Sequence, residues 1–133
     1  MKINSAAVIG TGFIGTVHVE SIRRTGVHVK GVLAGNAQST QAGATKLHVE
    51  KAYESLDQIC DDKDVSVVHV TSPNALHYEQ VKQLLTAGKH VVCEKPLALS
   101  AKEGKELVEL GKKTGLVNAT CFNTRFYPMV HEA

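Results

Sequence analysis

Charge of one sign is almost absent as a surplus: 15 Lys and Arg stand against 13 Asp and Glu, a formal net charge of +2 over 133 residues. With the basic residues dispersed and no basic stripe, nucleic acid is not expected as a partner. Cysteine is scarce too. Cys60, Cys93 and Cys121 are odd in number and widely spaced, which excludes a disulfide framework and fits small reduced thiols, two of them inside apolar runs. That usage points to the cytoplasm. Long apolar runs are missing as well. The uncharged stretch from Ile3 to Val19 is broken by three glycines, Asn4 and His18, and no small-residue cleavage pattern follows it. It is read neither as a secretory leader nor as a membrane span, and no membrane association is expected. No linker, internal repeat or low-complexity segment interrupts the chain.

What is present is the composition of a soluble globular protein, 43% hydrophobic and 21% charged, at about the length of one domain. A chain of this size buries roughly two-thirds of the surface its unfolded form exposes, enough for one ordinary core. Short β-branched runs occur at 6–9, 27–33, 65–70 and 90–93, with a weaker one at 116–121. They are near-continuously apolar, as parallel strands covered on both faces should be. Helical patterns lie between them. Ile14, Val17, Ser21 and Ile22 mark the face of the first, and Thr40, Gly43, Ala44 and Leu47 that of the second. Ser55 is placed to cap a short helix carrying Leu56, Ile59 and Cys60. His77, Val81, Leu84 and Leu85 mark the next, with Gly88 at its stop. Ser100 opens the last, with Gly104, Leu107, Val108 and Gly111 inward and Lys102, Glu103, Lys105 and Glu106 on a solvated face. Strand and helix alternate throughout, which predicts an α/β fold: a Rossmann-type doubly wound parallel sheet with helices on both faces.

The segment Gly10-Thr11-Gly12-Phe13-Ile14-Gly15 follows a predicted strand and opens a helical pattern. Three glycines at this spacing are a weak signal alone, and the strand–turn–helix context makes them a dinucleotide-binding fingerprint. Gly10 serves the tight turn, Gly12 the close approach of a pyrophosphate, and Gly15 the packing of helix on strand. Free N–H groups and the positive end of the helix dipole favour the phosphate charge. The acidic residue that usually grips the ribose 2′-hydroxyl about twenty residues on is lacking. Ala34-Gly35-Asn36 stands there, with Asn36, Gln38, Ser39 and Thr40 able to hydrogen-bond either cofactor. NAD and NADP both stay open, with a lean to NADP because nothing there repels a 2′-phosphate.

Two more segments follow predicted strands, where ligands of open α/β sheets bind: Thr71-Ser72-Pro73-Asn74, ahead of His77, and Glu94-Lys95-Pro96. Together with the glycine loop, Ser72-Pro73-Asn74-Ala75-Leu76-His77 and Ala87-Gly88-Lys89-His90-Val91-Val92-Cys93-Glu94-Lys95-Pro96 resemble the N-terminal half of the glucose–fructose oxidoreductase / inositol dehydrogenase / rhizopine-catabolism (Gfo/Idh/MocA) family. Asn123-Thr124-Arg125-Phe126-Tyr127-Pro128 resembles that family's stretch after its sixth strand. The likeness runs over essentially the whole chain, and its most diagnostic part is 89–96.

The resemblance implies hydride transfer between NAD or NADP and a hydroxyl-bearing carbon of a sugar, polyol or related small molecule. It makes Lys95 the catalytic residue, a cation beside the alkoxide-like charge of the transition state. It makes Glu94 the residue that orients Lys95 and contacts the cofactor, and Pro96 the fixer of the turn. Gly10, Gly12, Phe13, Ile14 and Gly15 would hold the pyrophosphate, Asn36 and Ser39 the ribose. Asn74 and His77 would line the nicotinamide side with Arg125 nearby, and Ser72 and Pro73 would also contact the cofactor. Residues 1–121 are then the nucleotide-binding domain and 122–133 the start of a connection to the family's second α/β domain, which is lacking here along with the Asp and His that complete the site. This chain alone is accordingly expected to bind cofactor without turnover, and to be a homo-oligomer through exposed Phe122, Phe126, Tyr127 and Met129. A cofactor-sensing module without chemistry is the alternative; an adenosyl cofactor on the same loop is disfavoured by Glu94-Lys95-Pro96. His18, His28, His48, His69, His90 and His131 show no ligand spacing with Cys or carboxylates, so no metal is expected. Cys93, inside an apolar strand, is read as core.

Overall fold

The computed structural model describes Ile3 and residues 5–132. Met1, Lys2, Asn4 and Ala133 lie outside the described residues, and with them part of the stretch weighed as a leader and the last residue of the 122–133 connection. Six parallel strands form one sheet in the order β3-β2-β1-β4-β5-β6. They are β1 (Ser5–Ile9), β2 (His28–Leu33), β3 (Lys51–Ala52), β4 (Val65–Val70), β5 (His90–Glu94) and β6 (Asn118–Cys121). The predicted runs are all strands; β3, two residues long, is too short to leave a periodic signal. After β1 the chain winds outward to β2 and β3, then returns to the other side of β1 at β4. That reversal opens a crevice at the carboxyl ends of β1 and β4.

Helices α1 (Phe13–Arg24) and α2 (Ala37–Lys46) cover one face of the sheet; α3 (Leu56–Asp61), α4 (His77–Thr86) and α5 (Ala101–Thr114) cover the other. On the second face Val68, Val70, Val91 and Cys93 pack against Val81, Leu84 and Leu85 of α4 and Leu107 of α5. Each fully buried leucine there contributes about 2 kcal/mol. On the first face Ala6, Val8, Val29 and Val32 meet Val19 and Ile22 of α1 and Ala44 of α2. Caps fix the helix starts: Ser55 and Ser100 accept from Gln58 N and Glu103 N, and the Ser100 cap is a reciprocal box with Glu103. Gly115, at φ 68°, ends α5 in the left-handed conformation.

Two helix faces differ from the sequence expectation. In α1 the inward residues are Gly15, His18, Val19 and Ile22, while Ile14 and Val17 are exposed. The reason is Gly15: a Cβ at that position would strike the Gly10 carbonyl, so the helix lies on the sheet along its glycine. Its i+3, i+4 and i+7 neighbours follow it inward. In α5 Val108 is exposed and Leu107 and Gly111 form the buried line.

The amino ends of the strands are tied by one polar knot. Asp62, between α3 and β4, accepts from Lys30 Nζ (2.8 Å), Tyr53 Oη (2.9 Å) and Lys51 Nζ (3.3 Å). Burial works against its charge, yet these partners outweigh it and hold the carboxyl far below the usual range. Buried Lys89 donates to the carbonyls of Asp62 (2.6 Å) and Val65 (2.9 Å). Residues 123–126 form a 3₁₀ turn and α6 (Pro128–Glu132) a single helical turn; Phe122, Phe126, Tyr127 and Met129 are exposed. No helix among the described residues is long and apolar enough to cross a membrane.

Candidate functional site

A cleft of about 780 Å³ lies at the carboxyl ends of β1, β2 and β4. Its floor is the glycine loop, and the three glycines are held there for three different reasons. Gly10 sits at φ +99°, and a Cβ on it would lie 2.6 Å from the Thr71 carbonyl oxygen. Gly15 is pressed on the Gly10 carbonyl. At Gly12 an added Cβ meets nothing within 4 Å. The backbone at Gly12 is therefore bare toward open space, and an approaching group meets main-chain N–H donors at the start of the 12-residue helix α1.

The loop is braced from β4. Thr71 N donates to Ile9 O (2.7 Å), and Thr71 Oγ1 donates to Ile9 O (2.8 Å) and Gly10 O (3.1 Å). Gly10 N donates to Leu33 O (2.8 Å), linking the loop to β2. Phe13, Ile14 and Leu76 are large apolar side chains left exposed on the cleft wall, the kind of surface a ligand covers. Ser39, Ser72 and Pro73 line the cleft, together with Thr11, Thr71 and Gln80, of which Gln80 carried no motif in the sequence. Gln80 Oε1 accepts from Ser72 Oγ (2.5 Å) and fixes that wall. Its signal was present in the sequence: it stands off the buried line His77-Val81-Leu84-Leu85 of α4, on the face toward the loop.

Other predicted residues stand elsewhere. Asn36 is not on the cleft wall. Its side-chain oxygen accepts from Ser39 N (2.8 Å) and Ser39 Oγ accepts from Asn36 N (3.2 Å), a reciprocal cap on α2. Thr40 Oγ1 is likewise consumed, accepting from Ala34 N (2.9 Å) and donating to Asn36 O (2.8 Å). His77 is a correction to the expectation that it touches cofactor: it is fully buried, with Nδ1 2.7 Å from Pro96 O and Nε2 2.9 Å from Ser72 O. Its ring bridges the loops after β4 and β5 from behind and has no face left for a ligand. Asn74 begins an exposed 3₁₀ turn. Arg125 is exposed on the 123–126 turn; its amide donates to Phe122 O (3.1 Å), and its guanidinium has no hydrogen-bond partner among the described residues.

Lys95 leaves the end of β5 exposed, and its amino group has no partner among the described residues. Its backbone is held instead: Lys95 N donates to Glu94 Oε2 (3.1 Å), and the Lys95–Pro96 peptide is cis. Glu94 points to the α1 side of the sheet, its Oε1 3.2 Å from His18 Nε2. His18 Nδ1 in turn lies 2.8 Å from His69 Nδ1 on β4. Burial, then the neighbouring His18, lowers His69 to about 4. Burial opposes the charge of Glu94, and the hydrogen bonds from His18 and the Lys95 amide outweigh it and keep its carboxyl below the ordinary range. Cys93, buried, is pushed up to about 12 and is core as expected. Cys121, paired with Glu94 across β5 and β6, is raised by burial and by its contact with that carboxylate. His18, Glu94 and Cys121 thus meet although 76 and 27 residues of sequence separate neighbouring members, a grouping that a search by spacing could not find.

Crevice, glycine loop and strand-end lysine define a dinucleotide-binding α/β domain. Residues 5–121 match the Gfo/Idh/MocA family, described as an oxidoreductase family with an NAD-binding Rossmann fold, and the chain belongs to it. It is 36% identical to 1,5-anhydro-D-fructose reductase of Ensifer adhaerens over 80% of this chain and 32% of that protein. It is 32% identical to the NADP(+)-dependent scyllo-inositol 2-dehydrogenase of Bacillus subtilis over 95% of this chain and 39% of that one. The solved levoglucosan dehydrogenase, in complex with NADH and levoglucosan, superposes with a TM-score of 0.85 at 29% identity, over 91% of this chain and 35% of that structure. The chain spans about a third of the length of these relatives.

Proposed function

We propose that this chain is the cofactor-holding part of an oxidoreductase that moves a hydride between NAD(P) and a hydroxyl-bearing carbon of a sugar, polyol or related small molecule. The observation that carries the reading is Gly12, open toward the cleft between two glycines that are crowded for structural reasons. A glycine with free space around it and ordinary extended dihedrals is not demanded by the fold, so its use lies with what enters the cleft. When bound, the nicotinamide would supply the hydride donor or acceptor. The chain's own residues would bind, orient and polarise. Gly10, Gly12, Phe13, Ile14 and Gly15 receive the pyrophosphate, Ser39 stands on the ribose side, and Ser72 and Pro73 form the facing wall. Lys95 extends its cation toward the reacting oxygen, with its backbone fixed by Glu94. The reductase and inositol dehydrogenase relatives act on substrates of the proposed class. The absence of any carboxylate from 34 to 49, and the open space around Gly35, fit either NAD or NADP, with room for a 2′-phosphate.

Residues 122–133 are taken as the start of a connection to a substrate domain, a role that the exposed Phe122, Phe126 and Tyr127 support. The chain alone then binds cofactor, turns over little or no substrate, and self-associates through that apolar segment. Free thiols at Cys60, Cys93 and Cys121 fit a cytoplasmic setting, and no nucleic-acid partner is proposed. One observation favours a second reading, a dinucleotide sensor: none of the cleft-lining side chains is acidic, basic or His. Calorimetric titration with NAD, NADH, NADP and NADPH tests the common core of both readings. Saturable binding of at least one dinucleotide is expected, and no binding of any removes both. A robust dehydrogenase rate on polyols from the 133-residue chain would overturn the claim that it is inactive alone.

A further inference from the structure

We propose that His18, Glu94 and Cys121 form a site for a zinc-class divalent cation on the α1 side of the sheet, beside but separate from the dinucleotide cleft. Among the described residues they are the one group of three donors of this kind whose ligating atoms all lie within 4.8 Å of one another. Three elements supply them: His18 projects inward from α1, while Glu94 and Cys121 are direct neighbours across β5 and β6 and so share a face. The donors are one imidazole nitrogen, one carboxylate oxygen and one sulfur. That mixed N, O, S set suits zinc and its neighbours and does not suit magnesium or calcium.

Charge agrees with such an ion, one ligand pair is already at the right separation, and the set as a whole, spanning up to 4.8 Å, closes in on the ion when it binds. A neutral imidazole, a carboxylate and a thiolate sum to −2, which a divalent cation neutralises. The His18 Nε2 to Glu94 Oε1 separation of 3.2 Å matches the roughly 3.3 Å between ligand atoms of a tetrahedral ion with bonds of about 2.0 Å. The pair presents the Nε2 edge of one group and an oxygen of the other to a gap that a proton now bridges. Glu94 Oε2 stays on Lys95 N, so only one oxygen is needed by the ion. Behind the imidazole stands His69: with an ion on His18 Nε2, the Nδ1–H donates to His69 Nδ1 at 2.8 Å. This is the outer partner that fixes tautomer and ring orientation in metal-ligating histidines. Cys121 is half-exposed, which leaves an entry path and an open fourth position for water.

The test uses the reduced 133-residue chain, freed of metal, titrated with cobalt(II) and watched by absorption. The expected result is a thiolate-to-cobalt charge-transfer band with visible bands of a four-coordinate ion, saturating at one equivalent and bleached by zinc. Cys121→Ser abolishes the charge-transfer band and Cys60→Ser leaves it. His69→Phe keeps the ring in place but weakens cobalt binding about ten- to a hundredfold. Zinc raises the melting temperature of the wild type and not of Cys121→Ala, with circular dichroism confirming that both fold. No band at excess cobalt, or a band that survives Cys121→Ser, overturns the proposal and leaves the three groups as a hydrogen-bonded trio. None of these readouts depends on whether a dinucleotide binds.

Discussion

The two ends of the same sheet treat their polar groups in opposite ways. At the amino ends Asp62, Lys30, Lys51, Tyr53 and Lys89 are spent on one another or on carbonyls. At the carboxyl ends the space beside Gly12 is empty, and the amino group of Lys95 has no partner among the described residues. Both ends belong to one parallel sheet, so the contrast is not one of architecture. It separates groups that stabilise the fold from groups held ready for something outside it. Changes at the carboxyl end should then cost binding at constant stability, and changes at the amino end stability at constant binding.

Gly12→Val should give the largest effect. Its side chain enters empty space and its dihedrals, φ −74° and ψ −165°, suit any residue, so the melting temperature should hold. Dinucleotide affinity should fall about a hundredfold, near 2.7 kcal/mol, because the branched side chain stands where the pyrophosphate would lie. Calorimetry beside a thermal melt checks both. Gly15→Val is the contrasting variant: it should fail to fold, since its Cβ collides with the Gly10 carbonyl. Equal affinity for Gly12→Val and wild type would remove the basis of the functional reading.

Asp62→Ala reverses the pattern. It leaves the buried Tyr53 hydroxyl and Lys51 without their acceptor while Lys30 keeps Asp64, at a cost of about 2–3 kcal/mol, with dinucleotide affinity unchanged. The sign of its pH dependence is fixed. The native carboxyl lies below its unfolded value, so its contribution is complete above about pH 4 and is lost progressively as pH falls from there toward the lower native value. Denaturant melts from pH 7 to 3 should show a steep acid loss in wild type that is shallower in Asp62→Asn.

The same division explains what could be read in the sequence. Backbone demands were legible: glycines at 10, 12 and 15 follow a β-branched run, and no residue type substitutes for them where Thr71 or Gly10 crowds in. The strand ends that carry Ser72 and Lys95 were legible because apolar runs stop abruptly. Side-chain commitments were not. Asn36 and Ser39 read as free polar groups beside a cofactor, yet the start of α2 uses their hydrogen bonds as its cap. His18 read as a polar interruption, although the contact of Gly15 with the sheet turns it inward; counting from Gly15 rather than from Ile14 would have found that face. The meeting of His18, Glu94 and Cys121 depends on strand order, which local pattern does not encode.

His77 tests whether the division is strict. It sits at the carboxyl end but behaves as the amino-end groups do, buried with both ring nitrogens against carbonyls. His77→Leu should cost about 2 kcal/mol by removing the ring that stands between Ser72 O and Pro96 O and the N–H it donates there. It should also weaken dinucleotide binding severalfold, as the loops it bridges lose their brace. Unchanged affinity alongside the stability loss would show that those loops hold their shape without it.

Lys95→Met should have the smallest effect on this chain. Its amino group touches no other described residue, so melting should not change. If the lysine serves the reacting oxygen of a substrate, a dinucleotide alone gains little from it, and affinity should change less than about threefold, under 0.7 kcal/mol. The flexible apolar stem that replaces it preserves the packing of β5 and the Glu94 contact with the backbone amide, so the comparison isolates the charge. A tenfold loss for NADH but not for ADP-ribose would place the cation on the nicotinamide end of the cofactor itself. A tenfold loss for both would place it on the phosphates, and Lys95 would then belong with the glycine loop as a binding group and not with the chemistry.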